Sequence, residues 1–280
     1  MRKWMIGTAL VVGCMGLSQA FPGPETRSPQ TLVKLADKNP GLIPGLARHL
    51  LEDVGDEGLQ ALLDLHTDLR AHYPNFDRDL AGLLQEGRQR RQEFRGRYPR
   101  LRSWFLGRLE SRTEQPPSPR AYLSQHHPKL LLGLALSASR LIDEKYPELP
   151  ARWREQRGKE GFASFMLENA PDGFAQFVQS LSPEQRQEVR AALLGYLKER
   201  EAWAQRQPAD RFARGYQDLQ TQFPGITESW AEVRDQSYQA RQQRFPGLRE
   251  VVLSSLNTRH PGLIEKARQS AEKHYPGLVN

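Results

Sequence analysis

Proline returns at a fixed interval near the end of this chain, and no other feature limits its fold so strongly. Phe245-Pro246-Gly247-Leu248, His260-Pro261-Gly262-Leu263 and Tyr275-Pro276-Gly277-Leu278 follow one another at a spacing of fifteen residues. Between the prolines, Leu248, Val251, Val252 and Leu256, then Leu263, Ile264, Ala267 and Ala271, fall on one face of a 3.6-residue period, the mark of short amphipathic helices. Proline lacks the N–H that a helix interior requires, and Pro-Gly suits the middle of a type II turn, so each unit is expected to begin at a sharp corner.

The same element, an aromatic residue or His followed by Pro, one residue, and Leu, Ile or Phe, recurs at Pro74, Pro99, Pro128, Pro147, Pro224, Pro246, Pro261 and Pro276. The gaps run from 15 to 77 residues, which excludes a fixed-period solenoid. Two readings are open. One is a shared helix-entry corner, covered by the apolar residues on either side as in a hydrophobic staple. The other is a row of corners forming a ligand-binding edge.

Composition narrows the fold class. Val, Ile and Thr together number 23 of 280 residues, while Leu, Ala, Gln, Glu and Arg dominate, which leaves little from which to build strands. The expected fold is all-α, an irregular array of short amphipathic helices joined at Pro and Pro-Gly corners. With one cysteine, Cys14, no disulfide can form within the chain, and stability must come from helix packing.

Residues 1–20 are a different kind of text. Arg2 and Lys3 precede an apolar run, and Ser18-Gln19-Ala20 places small residues before a cut at Phe21, so a secretory signal peptide is expected. The alternative is Val11-Val12-Gly13-Cys14, which resembles a bacterial lipobox with Cys14 as the lipidated residue. Either leader points to the periplasm or exterior of a bacterium. A flexible lead-in at 21–30 follows, then a helical region at 31–114, a Pro-rich linker at 115–119 and a second helical region at 120–280. Within these regions, Asp56 is expected to cap a helix carrying Leu59, Leu62, Leu63 and Leu69. Pro40-Gly41 and Pro44-Gly45 read as two successive corners, and the apolar run 129–142 reads as a helix surrounded by others.

No catalytic signature is present: no Gly-x-Ser-x-Gly elbow, no His-Glu-x-x-His, no phosphate loop and no dinucleotide Gly fingerprint. The seven histidines, at 49, 66, 72, 126, 127, 260 and 274, include no pair at the i, i+4 spacing of a helical metal site, so neither a metal nor a cofactor is expected. Acidic groups such as Asp53, Asp56 and Glu57 read as helix caps and solvated ends.

Charge is concentrated in one place. Between 88 and 112 lie nine arginines, at 88, 90, 91, 95, 97, 100, 102, 108 and 112, against Glu93 and Glu110, a net +7 equal to that of the whole chain. Phe94, Tyr98, Trp104 and Phe105 are interleaved with them. Arginine pairs bidentately with phosphate and carboxylate and stacks on rings. Arg88, Arg90, Arg91, Arg95, Arg97, Arg100, Arg102 and Trp104 are therefore the candidate anion- or partner-binding residues. The plainer alternative is a solvated face in a chain with 31 Arg to 9 Lys.

Leu181-Ser182-Pro183-Glu184-Gln185 resembles the Leu-Thr-x-x-Gln motif of the Spy and CpxP family of periplasmic helical stress proteins, which implies a chaperone or sensor role without cofactor or ATP. The match covers six residues through Arg186, and the second copy usual in that family is missing. The same residues spell a capping box, with Ser182 as N-cap, Pro183 at the first helical position and Gln185 at the third.

The expected function is a non-enzymatic protein acting by surface contact in the bacterial cell envelope, in a chaperone-like or scaffold role. Its partners would be proteins or anionic envelope polymers rather than nucleic acid. The alternatives are a lipid- or anionic-surface-binding module, lipidated at Cys14, and an enzyme whose site is assembled from residues distant in sequence.

Overall fold

A computed structural model describes residues 39–110, 118–157, 161–208 and 210–275. The expected leader with Cys14, the lead-in, the start of the expected helical region at 31–37, Arg112, linker positions 115–117 and Pro276 to Leu278 lie outside the described residues. Among the described residues thirteen helices follow one another: α1 Leu42–His72, α2 Phe76–Arg97, α3 Leu101–Glu110, α4 Pro119–His126, α5 Pro128–Lys145, α6 Leu149–Gln156 and α7 Phe162–Asn169. Then come α8 Gly173–Ser180, α9 Pro183–Gln205, α10 Arg211–Gln222, α11 Ile226–Arg244, α12 Leu248–Arg259 and α13 Leu263–His274. The fold is all-α, as the residue palette requires.

The corners share one backbone device. At Tyr73, Tyr98, Tyr146, Ala170, Phe223, Phe245 and His260, each followed by proline, the backbone N–H donates to the carbonyl four residues earlier at 2.8–3.2 Å and closes one helix. The carbonyl of the same residue accepts from the N–H three residues later, at 2.9–3.2 Å, and opens the next. The proline ring pushes the preceding residue out of the α region, which stops the helix there; Tyr73 lies at φ −117, ψ 96 and Phe245 at φ −127, ψ 66. After Pro224, Pro246 and Pro261 the turn is type II, with Gly225, Gly247 and Gly262 at φ 76, 69 and 84, whereas Gly41 after Pro40 stays at φ −95. Where Asn75, Glu148 or Asp172 follows, φ stays between −81 and −103 and the turn is type I.

The residue after the turn is buried in nearly every case: Phe76, Leu101, Leu149, Ile226, Leu248 and Leu263 all belong to the core. The corner therefore fixes both the direction of a helix and the first side chain that it buries. Pro128 departs from the rule. His127 caps both α4 and α5, and Pro128 is the first residue of α5, so the helices meet without an intervening turn.

Two local expectations are corrected. Pro44 and Gly45 lie in the first turn of α1, where a proline N–H would have no partner anyway, so only Asn39-Pro40-Gly41-Leu42 forms a corner there. By contrast, a second helical segment does begin beside Asp56: the span Leu42–His72 is two helices joined across a kink at Gly55, at φ 59 and ψ −138. The carbonyls of Leu51 and Glu52 at that kink accept from the Arg190 guanidinium of α9 at 3.0 and 3.3 Å, a partner that makes the break affordable. Finally, α5 is not enclosed. Leu130, Leu134 and Ile142 are buried, but Leu132 and Leu136 are 58 % and 61 % exposed. The Ser182 capping box is present as read, with Ser182 Oγ accepting from the Gln185 N–H and Gln185 Oε1 accepting from the Ser182 N–H.

The organising helix is α1, against which α9, α12 and α13 pack. Its core contains Leu65, Leu69, Tyr73, Phe76, Leu80, Phe245, Leu248 and Val252, so the C-terminal helices close over the first two. Phe245 is fully buried between Tyr73 and Phe76, with ring centroids at 5.3 and 5.2 Å. Burying such a side chain contributes about 1.5–3 kcal/mol.

Candidate functional site

The arginine-rich region forms the end of α2, the corner at Pro99 and the start of α3. Phe94, Leu101 and Ile226 make a small core here, with Tyr98, Trp104, Phe223 and Val233 packed around it. The Tyr98 hydroxyl lies 2.9 Å from Ser229 Oγ, which ties the corner to α11. Trp104 is half-buried and lies edge-on to Phe105 and Phe223 at 5.0 and 6.0 Å, so its ring serves the core as well as the surface.

The structure divides the arginines into two groups. Arg90 is half-buried; it donates to Ser237 Oγ of α11 at 3.0 Å and pairs with Glu86 at 2.7 Å. Glu86 also receives Arg244 of α11, whose guanidinium reaches the Asp79 carbonyl at 3.3 Å. Arg97 pairs with Glu232 of α11 at 2.8 Å, and the hydrogen bond to that carboxylate raises its pKa. Arg88 is also half-buried. Arg90 and Arg97 face the α2–α11 junction. Arg91, Arg95, Arg100 and Arg102 are exposed and form no ion pair among the described residues. The side chain of Arg108 lies outside the described residues.

Three exposed apolar side chains share this end of the molecule: Phe105, Leu106 and Trp230, the last 56 % exposed and edge-on to Phe94 at 5.5 Å. Trp230 belongs to α11 and was not among the residues singled out in the sequence. Nothing in its local pattern connects it to Phe94; only the return of α11 along α2 does.

The histidines are used in polar seams rather than at turns alone. On one face of α1, Glu57, Asp64 and Asp68 meet the C-terminal helices. Lys266 Nζ lies 2.9 Å from Glu57, His260 Nε2 lies 3.0 Å from Asp64, and Arg259 and Ser255 both donate to Asp68 at 2.6 Å. On another face, His66 Nε2 lies 3.0 Å from Asp77, and Arg70 links Asp77 to Asp172 at the start of α8. The acidic residues of α1 thus do more than cap it; they set the register of α12 and α13 along it.

A third polar cluster sits where α1, α9 and α13 meet. Arg48 donates to Glu201 at 2.8 Å and pairs with Glu52 at 2.9 Å. The Tyr275 hydroxyl donates to Glu201 at 3.3 Å, and burial with the adjacent Glu201 carboxylate pushes its pKa up to about 12. His49 and His274 stack with ring centroids 3.3 Å apart and planes 8° from parallel. Burial, followed by Arg48 and His274, holds the His49 imidazole below its ordinary pKa. Gly45 leaves room for Tyr275: a Cβ at that position would lie 1.7 Å from the hydroxyl oxygen.

No group of three or more His, Cys, Asp or Glu side chains is placed to hold a metal ion among the described residues. No described helix is long and apolar enough to cross a membrane. No protein-family model matches the chain, and comparisons with curated proteins and with solved structures give no match either.

Proposed function

We propose that this is a non-enzymatic helical protein of the bacterial cell envelope that works by surface contact, in a chaperone-like or scaffold role. Its basic end engages polyanions, whether acidic envelope polymers or the acidic faces of client proteins. The observation that supports this reading is the set of four exposed arginines, Arg91, Arg95, Arg100 and Arg102, beside exposed Phe105, Leu106 and Trp230. Guanidinium groups with no carboxylate partner among the described residues leave their charge open to a partner molecule, and neighbouring rings and aliphatic groups supply contact area.

Immobilised heparin tests it. Binding of the full chain is expected to weaken steeply as salt rises, because exposed charges are screened beyond about 10 Å at 0.1 M ionic strength. Replacing Arg91, Arg95, Arg100 and Arg102 together by Gln should abolish retention while leaving the helical circular dichroism unchanged. Equal retention of the quadruple variant sinks the proposal.

A second reading, a lipid- or anionic-surface-binding module, is favoured by Leu132 and Leu136 on the outer face of α5. Flotation with anionic phospholipid vesicles that is lost in Leu132→Ser/Leu136→Ser would replace the first reading with this one.

A further inference from the structure

A cavity of about 260 Å³ lies among α5, α6, α7 and α8, remote in sequence from the arginine-rich end. Its wall is formed by Leu141 and Ile142 of α5, Trp153 of α6, Phe162 and Met166 of α7, and Phe177 of α8. Trp153 lies edge-on to Phe162 at 4.8 Å and tilted against Phe165 at 5.1 Å, so rigid rings hold the wall apart. The hydroxyl of Tyr146, also in the lining, donates to Gln176 Oε1 at 3.2 Å. An apolar void of this kind forfeits dispersion contacts on every lining side chain, a deficit that an apolar occupant removes.

The mouth can be located from exposure. Among the described lining residues, Pro150 and Arg154 of α6 are exposed and the others are buried or half-buried, so the cavity opens beside these two. Arg154 is also the one charged group in the described lining. Its Nε makes only a long contact of 3.4 Å to the Pro150 carbonyl, and its terminal nitrogens have no carboxylate partner among the described residues. Arg152 lies in the same short helix and Arg157 just beyond it, against Glu155, so the segment is basic on balance.

We propose that the cavity is a binding site for a single-chain amphiphile with an acidic head, a medium-chain carboxylic acid, whose tail fills the apolar interior and whose carboxylate meets Arg154 at the mouth. Capacity sets the length. A 150 Å³ apolar cavity holds the six carbons of benzene, so the volume here suits a chain of about ten carbons. A two-chain lipid has no room for its second tail. The site stands independently of the basic end and of any role assigned to it.

Titration calorimetry of the full chain with hexanoate, octanoate, decanoate and tetradecanoate, each below its micelle-forming concentration, tests the assignment. Affinity should rise about fourfold per methylene as far as decanoate, then level off because the cavity is full. Arg154→Glu should weaken decanoate about fivefold, the scale of an exposed ion pair, and leave decanol unchanged. Ala138→Phe, which projects a ring from α5 into the cavity, should weaken decanoate far more than hexanoate; its helical content would be checked first. Three outcomes overturn the proposal: no binding of decanoate at about 1 mM, affinity that continues to climb through tetradecanoate, or equal loss of decanol and decanoate in Arg154→Glu. The wild-type length series decides the matter even if Ala138→Phe does not fold.

Discussion

Around α1, charged groups from distant parts of the chain meet side by side: Glu57 with Lys266, Asp64 with His260, Asp68 with Arg259, Arg48 with Glu201. Around the α5–α8 cavity, built from the same helix-and-corner unit, Tyr146 bonds to Gln176 and Arg70 reaches Asp172 at the start of α8, and rings and aliphatic side chains supply most of the rest. The first region has α9, α12 and α13 pressed against one helix. The second keeps a cavity on one side of α5 and exposed Leu132 and Leu136 on the other. Polar pairs demand one register, because a slip leaves a half-buried charge without its partner. Apolar contacts tolerate several arrangements and leave space that a ligand can use. The region around α1 is therefore the frame of this molecule, and the region around α5 is where it has capacity to accept something else.

That contrast can be broken by stability measurements. Phe245→Ala removes a ring sealed between Tyr73 and Phe76 and should cost about 3–5 kcal/mol in denaturant unfolding. Leu136→Ala, on the open face of α5, should cost no more than about 0.5 kcal/mol. Similar losses from the two would mean that both regions are equally closed.

A smaller effect sharpens the account of the frame. Gly45→Ala sets a methyl group against the Tyr275 hydroxyl and should destabilise by about 1–3 kcal/mol. Adding Tyr275→Phe should restore part of that loss, because it removes the oxygen that the methyl meets. Additive losses in the double variant would show that the two positions do not touch.

The smallest effect concerns pH. His49 is held neutral by burial, by Arg48 and by the stacked His274 ring, while Glu52 and Glu201 pull the other way. Its folded pKa lies below its unfolded one, so its contribution is complete above about pH 6.5 and is lost as pH falls toward the folded value. His49→Gln should flatten that part of a stability–pH profile. An unchanged slope in the variant would place the proton uptake elsewhere.

Much of the fold could be read directly from residues. Proline forbids helical backbone before it and glycine permits positive φ, so the corners at Pro224, Pro246 and Pro261 announce themselves locally, as does the Ser182 box. Pro44 misled because proline is also welcome in a first helical turn, and only tertiary context separates the two cases. The run 129–142 misled for a different reason: apolar composition on all sides says that a helix could be enclosed, not that enough neighbours exist to enclose it. The arginine row was visible as a row, but its division was not, since Glu232, Ser237 and Arg244 reach it from a helix far along the chain. The cavity leaves no local trace, because a void is a property of how four helices fail to fill the space between them.

One consequence of the shared corner reaches beyond stability. A single residue completes the ladder behind it with its amide and starts the ladder ahead with its carbonyl, so each such joint is self-contained and shares the same pair of backbone hydrogen bonds. A stretch from one such joint to the next can be copied or removed without orphaning a hydrogen bond at the splice, whereas adding one residue within a joint unpairs both neighbours. A lineage carrying this device should vary in whole segments rather than in single insertions, and the fifteen-residue beat near the C-terminus has the form that such copying leaves behind.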